Sequence, residues 1–204
     1  MKTNRWLMVF LLSLAILGCA KTRTYSLYLR YQPVKEFPSL QQKIGSTLGI
    51  VPFKDERPDQ LYVGILTPFQ GVSSYFKSEP FPLEKAMGES LTEVLFRQGV
   101  KTVPVSNWDG GPGYLKNFET DSVFTIEIKK FWIEAREDVP LKANVKTSVH
   151  LVIHLGVKKE LKAFTRNVTV EKEMAVFRLS PDKVEQTINE ILTEIFDAYF
   201  SNPY

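Results

Sequence analysis

Few side chains in this sequence have the type and spacing that chemistry needs. His150 and His154 are the only histidines. On a strand they share one face but sit about 13 Å apart, at roughly 3.3 Å per residue, too far to hold one metal ion together. Asp55, Glu56 and Asp59 could receive a cation, but Arg57 stands among them. That order predicts a turn fixed by hydrogen bonds between Asp55 and Arg57. Gly110, Gly111 and Gly113 lack the Lys-Ser/Thr that completes a phosphate cradle, so they read as a loop. Gly-x-Ser-x-Gly is absent, and no serine stands out as the partner of a histidine base. Glu134, Glu137 and Asp138, beside Arg136 and Pro140, read as a solvated hairpin tip. These residues predict a chain with no catalytic, cofactor-binding or metal-binding site. A net charge of +3, from 26 basic and 23 acidic side chains, gives no basic footprint for nucleic acid.

The one thiol is different. Cys19 is the only cysteine, so it can close no intramolecular disulfide and build no zinc cluster. It follows a leader in which Lys2 and Arg5 precede the apolar run Trp6 to Leu17. As a helix that run spans about 18 Å, short of a hydrocarbon core of about 30 Å, and it reads as a secretory signal. Leu17-Gly18-Cys19-Ala20 resembles the lipobox of bacterial lipoproteins. The resemblance implies removal of residues 1–18, a diacylglycerol on the Cys19 sulfur and an acyl chain such as palmitate on its amine. Several acyl chains hold a protein firmly to a membrane surface. Ala20, in place of Asp, resembles an outer-membrane sorting signal and implies a domain on the periplasmic face. Without Lys2 and Arg5 the basic count falls from 26 to 24 against 23 acidic side chains.

The elements that must carry these residues follow from periodicity. Residues 19–24 form a short tether and 25–204 a single domain. Tyr25, Leu27, Leu29 and Tyr31 alternate as a strand. Residues 32–46 read as a loop, Thr47 to Phe53 as a strand buried on both faces, 54–59 as a polar turn, and Leu61 to Thr67 as another strand. Apolar residues at 83, 86, 87, 91, 94 and 95 predict an amphipathic helix ended by Gly99. Val100 to Val105 follows as a short strand. Apolar positions are even over Phe124, Ile126 and Ile128, then odd over Phe131, Ile133 and Ala135. This slip predicts a β-bulge at Lys129-Lys130. Strands over 145–157 and 161–170 complete a meander. Ser180-Pro181 caps a last helix whose apolar stripe runs from Val184 to Tyr199. The fold class predicted is α+β: a mixed or antiparallel sheet with two amphipathic helices packed on it, and a long antiparallel meander in the second half.

Pro68 to Pro82 reads as a long loop holding Phe69, Tyr75, Phe76 and Phe81. Such loops are often functional, and exposed aromatic rings anchor interfaces. The four rings are therefore the candidate partner-binding or membrane-touching residues, unless they fold back onto the core.

Val51-Pro52-Phe53, then Asp55, Arg57 and Pro58, then a helix ending Leu95-Phe-Arg-Gln-Gly99 and a C-terminal amphipathic helix, resemble the YajG-type family of uncharacterised bacterial lipoproteins. The layout is also similar to auxiliary lipoproteins of envelope lipid-transport systems. The resemblance supplies no catalytic residues and implies a non-enzymatic domain on a membrane anchor. Three functions stay open: an adaptor or auxiliary subunit that binds another envelope protein, a component that binds lipid or a small ligand, and, against the missing nucleophile–base pair, an envelope hydrolase.

Overall fold

A computed structural model describes residues 22–204; Cys19 and the leader lie outside the described residues. One strand organises the rest. β7 (Ser122–Val139) carries inward-facing Phe124, Ile126 and Ile128, then Phe131, Ile133 and Ala135, all buried. Its register against β8 (Lys142–Val157) shifts between Ile128 and Lys130, where the apolar phase slips in the sequence. One extra residue there returns the following side chains to the core face. β8 pairs in turn with β9 (Lys162–Phe177), and both pairings are antiparallel. The predicted meander is thus present, with longer strands than periodicity marks.

The other edge of β7 is shared by three short parallel strands laid end to end. These are β2 (Thr47–Ile50), β3 (Lys54–Asp55) and β4 (Gly64–Thr67). From β2 the sheet extends to β6 (Lys101–Pro104), and from β4 it extends through β5 (Ser74–Glu79) to β1 (Thr24–Tyr28). The result is a nine-stranded mixed sheet that divides into two arms beside β7.

Two long helices cover one face. α1 (Leu40–Ile44) is a single short turn in the region that reads as loop. α2 (Leu83–Arg97) buries the six apolar positions its spacing predicts and lies against β3, β5 and β6, bridging the two arms. α3 (Pro181–Ser201) begins at Ser180, whose side chain accepts from the Lys183 amide, and packs on β1 and β9. Phe76, Phe124, Phe131, Phe196 and Tyr199 fill the space between helices and sheet. A smaller cluster, Val51, Trp108, Leu115 and Val123, covers the opposite face at the start of β7. Trp108 and Leu115 reach the sheet because Gly156 has no side chain; a Cβ there would come within 2.4 Å of Leu115. The α+β class stands, with a mixed sheet and a third, short helix.

Two readings need correction. The stretch 54–59 does not turn the chain back: β3 lies inside it, and β2, β3 and β4 advance along β7 in one direction. The stretch 68–82 is no continuous loop, because β5 occupies residues 74–79.

Candidate functional site

β5 decides the fate of the four candidate aromatic residues. Phe76 points inward and is fully buried, so it is a core residue and not an exposed contact. Tyr75 stands on the opposite face of the same strand, half-buried, with its ring stacked on Tyr62 at 4.4 Å. Phe69 and Phe81 lie in the flanking turns and are exposed, with the Lys77 ammonium over the Phe81 ring at 4.9 Å. The structure therefore divides the four rings between core and surface.

The predicted Asp55–Arg57 contact forms and is buried. Arg57 donates from Nε to Asp55 Oδ1 at 2.8 Å and from Nη2 to Asp55 Oδ2 at 2.7 Å. Nη1 also donates to the carbonyls of Tyr62 (2.8 Å) and Phe131 (3.1 Å). A planar guanidinium suits this fork. With both Asp55 oxygens held by Arg57, the pair staples residues 55–62 to β7.

Among the described residues, the outward face of the meander carries the one row that resembles catalytic chemistry. His154 Nδ1 lies 2.9 Å from Thr165 Oγ1, and its Nε2 lies 3.7 Å from Glu127 Oε1. The second distance exceeds a hydrogen bond. The hydrogen bond from Lys129 is the first cause that holds the Glu127 carboxyl below its ordinary range. A charge-stabilising site also needs amide donors that converge on one point. Here Glu127 and His154 lie on strands paired on both sides, which commits the backbone donors beside them to the ladders. His150 pairs with Lys130, four residues along the same strand from His154. Among the described residues no three His, Cys, Asp or Glu side chains gather as metal ligands.

A binding surface is better developed beside α3. The extended chain after β1 passes between α2 and α3. One side of α3 offers a polar side chain at every fourth residue, a spacing that keeps them on one helical face. Glu185 accepts from the Tyr28 amide, and Asn189 accepts from Arg30 while donating to the Tyr28 carbonyl, each at 2.9 Å. Thr193 exchanges hydrogen bonds with Gln32, and Asp197 accepts from the Val34 amide at 3.1 Å and the Tyr31 hydroxyl at 2.8 Å. Burial first, then Asp197, pushes the Tyr31 hydroxyl well above its ordinary range. Ser90 of α2 accepts from the Tyr31 amide on the other side. A helix thus satisfies strand-like backbone with side chains. This ladder escaped the sequence reading, although four polar residues at intervals of four beside an apolar stripe do signal it. A groove of about 690 Å³ lies along this segment, with exposed Arg30 and Lys35 on one wall and Glu190 and Glu194 on the other.

β9 is the second such surface. Its sixteen residues pair only with β8 among the described residues. Val168, Val170, Met174 and Val176 on its inner side are only partly buried. Arg166 lies over the Tyr199 ring at 5.4 Å, and Lys172 pairs with Glu194 at 3.5 Å, so α3 covers this face incompletely.

No family model and no curated protein matches the chain. Among solved structures the chain is similar to protein XCC0632 from Xanthomonas campestris, described as family DUF330. The TM-score is 0.57 at 12% identity over 88% of this chain and 93% of that one. It also resembles lipoprotein GNA1162 from Neisseria meningitidis, with TM-score 0.39 at 12% identity over 74% and 97% of the two chains. For the hypothetical protein CT253 from Chlamydia trachomatis the TM-score is 0.43 at 13% identity over 76% and 97%. XCC0632 shares the fold; identity this low transfers no function.

Proposed function

We propose that this chain is a bacterial envelope lipoprotein of the YajG type, anchored through Cys19 at the periplasmic face of the outer membrane. Its domain acts there as a non-enzymatic adaptor or auxiliary subunit. One observation carries the anchor: the first strand among the described residues starts at Thr24, the fifth residue after the sole cysteine, which itself follows a short apolar leader. Support for the adaptor role comes from β9, because long unpaired strand edges recruit other chains unless something covers them. The lipid-binding alternative has less support, since aromatic side chains occupy the space between helices and sheet.

The test has two parts. Metabolic labelling with a palmitate analogue should mark the wild type and not Cys19→Ser, and Cys19→Ser should leave the membrane fraction. Photo-crosslinking residues placed at Asn167 or Thr169 in intact envelopes should yield the same discrete adduct, absent when the probe replaces Tyr114. An unlabelled wild type refutes the anchor; equal adducts, or none, at all three positions refute the adaptor role.

A further inference from the structure

Strand directions place several chain segments at one end of the sheet. β4 runs parallel to β7 and ends at Thr67 beside Arg136. β5 runs back, starting at Ser74 opposite Leu66. β1 is parallel to β5, so Thr24 starts beside Tyr75 at that same end. The β7–β8 turn (139–142) lies there, and so does the end of β9, where Phe177 pairs with Lys142 and the Arg178 amide donates to the Leu141 carbonyl at 2.9 Å. The Phe69 amide donates to Glu137 at 3.4 Å, which joins the β4–β5 loop to the same rim. Six strand termini at about 4.8 Å spacing make a rim roughly 24 Å wide, stepped so that Thr24 lies level with Glu134 and the β7–β8–β9 ends project beyond it.

This rim is apolar where a soluble surface is ordinarily not. Phe69, Val72, Val139, Leu141 and Phe177 are between 43% and 59% exposed. They come from three separate turns, so no single local sequence accounts for them. Exposed Arg23, Arg136, Lys142 and Arg178 surround them, against Glu137 and Asp138. Apolar side chains interleaved with long basic ones suit the boundary between lipid headgroups and acyl chains.

The tether selects the occupant. Thr24 is the fifth residue after Cys19, a contour of about 17 Å at 3.3–3.6 Å per residue. A lipid on Cys19 therefore keeps the start of β1, and the rim with it, against the bilayer. We propose that this rim is the membrane-resting face of the domain, with Phe69, Val72, Val139, Leu141 and Phe177 seated in a phospholipid surface. The assignment rests on the lipoprotein reading above. It fixes the orientation that reading leaves open: the β4–β5 and β7–β8 turns face lipid, while the turn at Leu161 faces away.

The experiment uses the full chain, lipidated in cells and reconstituted into phosphatidylethanolamine–phosphatidylglycerol vesicles that contain nitroxide lipids. Acylation occupies the Cys19 sulfur, so Leu141→Cys, Phe177→Cys and Leu161→Cys each offer one thiol for a polarity-sensitive fluorophore. Leu161 is a matched control, 44% exposed at the other end of the sheet. The expected result is blue-shifted emission and several-fold stronger nitroxide quenching at Leu141 and Phe177 than at Leu161. Quenching no stronger at the rim than at Leu161 overturns the orientation, whether the rim is bare or covered by another protein. Intact mass of the same samples separates the two ideas: acylated protein with an unquenched rim overturns the orientation alone, and unacylated protein overturns both.

Discussion

Replacing Arg57 with Ala tests whether the fold depends on one buried cation. The side chains of Arg57 and Asp55 are each 4% exposed. Arg57→Ala removes both guanidinium hydrogen bonds to the carboxylate and leaves the carbonyls of Tyr62 and Phe131 without their side-chain donor. A buried carboxylate stripped of its partner is destabilising by about 3–5 kcal/mol. At roughly 2–4 °C per kcal/mol for a domain of this size, the midpoint of thermal unfolding should fall by about 6–20 °C. Arg57→Lys should recover only part of this, because one ammonium cannot span two carboxylate oxygens and two carbonyls. The double variant Asp55→Ala/Arg57→Ala should cost less than the two single costs combined, since no lone charge remains buried. Thermal and urea unfolding followed by circular dichroism, on protein lacking the first nineteen residues, measure Arg57→Ala, Arg57→Lys, Asp55→Ala and the double variant. A loss below about 1 kcal/mol for Arg57→Ala, as expected of an exposed ion pair, would refute the staple, and so would strict additivity in the double variant.

Two further predictions concern the sheet. A Cβ on Gly64 would lie 2.3 Å from the Ile133 carbonyl oxygen, so Gly64→Ala should push β4 off β7 and cost about 1–3 kcal/mol. Gly113→Ala, with nothing within 4 Å, should be neutral in the same urea assay. Asp121 accepts from the Thr47 hydroxyl, the first cause of its lowered pKa, and from the amides of Ser46 and Thr47. Because the folded state holds the proton more weakly, this contribution is present above about pH 4 and lost as pH falls through the lowered native value. Asp121→Asn should flatten that acid limb in a pH series of unfolding midpoints, and an unchanged limb would discount the contact.

Legibility in the sequence followed the strength of the apolar signal. α2 and α3 were readable because every predicted stripe position is buried, and the bulge was readable because the phase slips in a long, strongly apolar strand. β5 was hidden for the complementary reason. Its inward positions are Ser74, Phe76 and Ser78, so two of three buried side chains are polar and the period-two pattern vanishes. Prolines and a glycine around it completed the likeness to a loop. Consequently Phe76 looked like a candidate contact when it is core. The Asp55–Arg57 pairing was legible from local spacing, but its burial was not, since the Phe131 carbonyl comes from 74 residues away.

The apolar rim could not be read from sequence at all, because it depends on where the chain turns back after β2. If residues 54–59 had turned the chain back, β4 would run antiparallel to β7 and end near its middle. Instead β2, β3 and β4 follow β7 from Ser122 to Arg136 without reversal. The chain leaves the sheet between Asp55 and Gly64 and is returned to the same edge, and the Arg57 side chain spans that excursion by holding Tyr62 to Phe131. Only beyond Pro68 does the chain reverse, at the far end of β7, and there it sets Phe69 and Val72 beside the Val139–Leu141 turn. β5 then carries that end across to β1, so the strand nearest the cysteine starts on the same rim. The staple and the proposed membrane face are therefore linked by topology: Arg57→Ala should loosen β4 and the Phe69 loop before it disturbs the β7–β8–β9 meander, and hydrogen exchange should show protection lost first in residues 62–76.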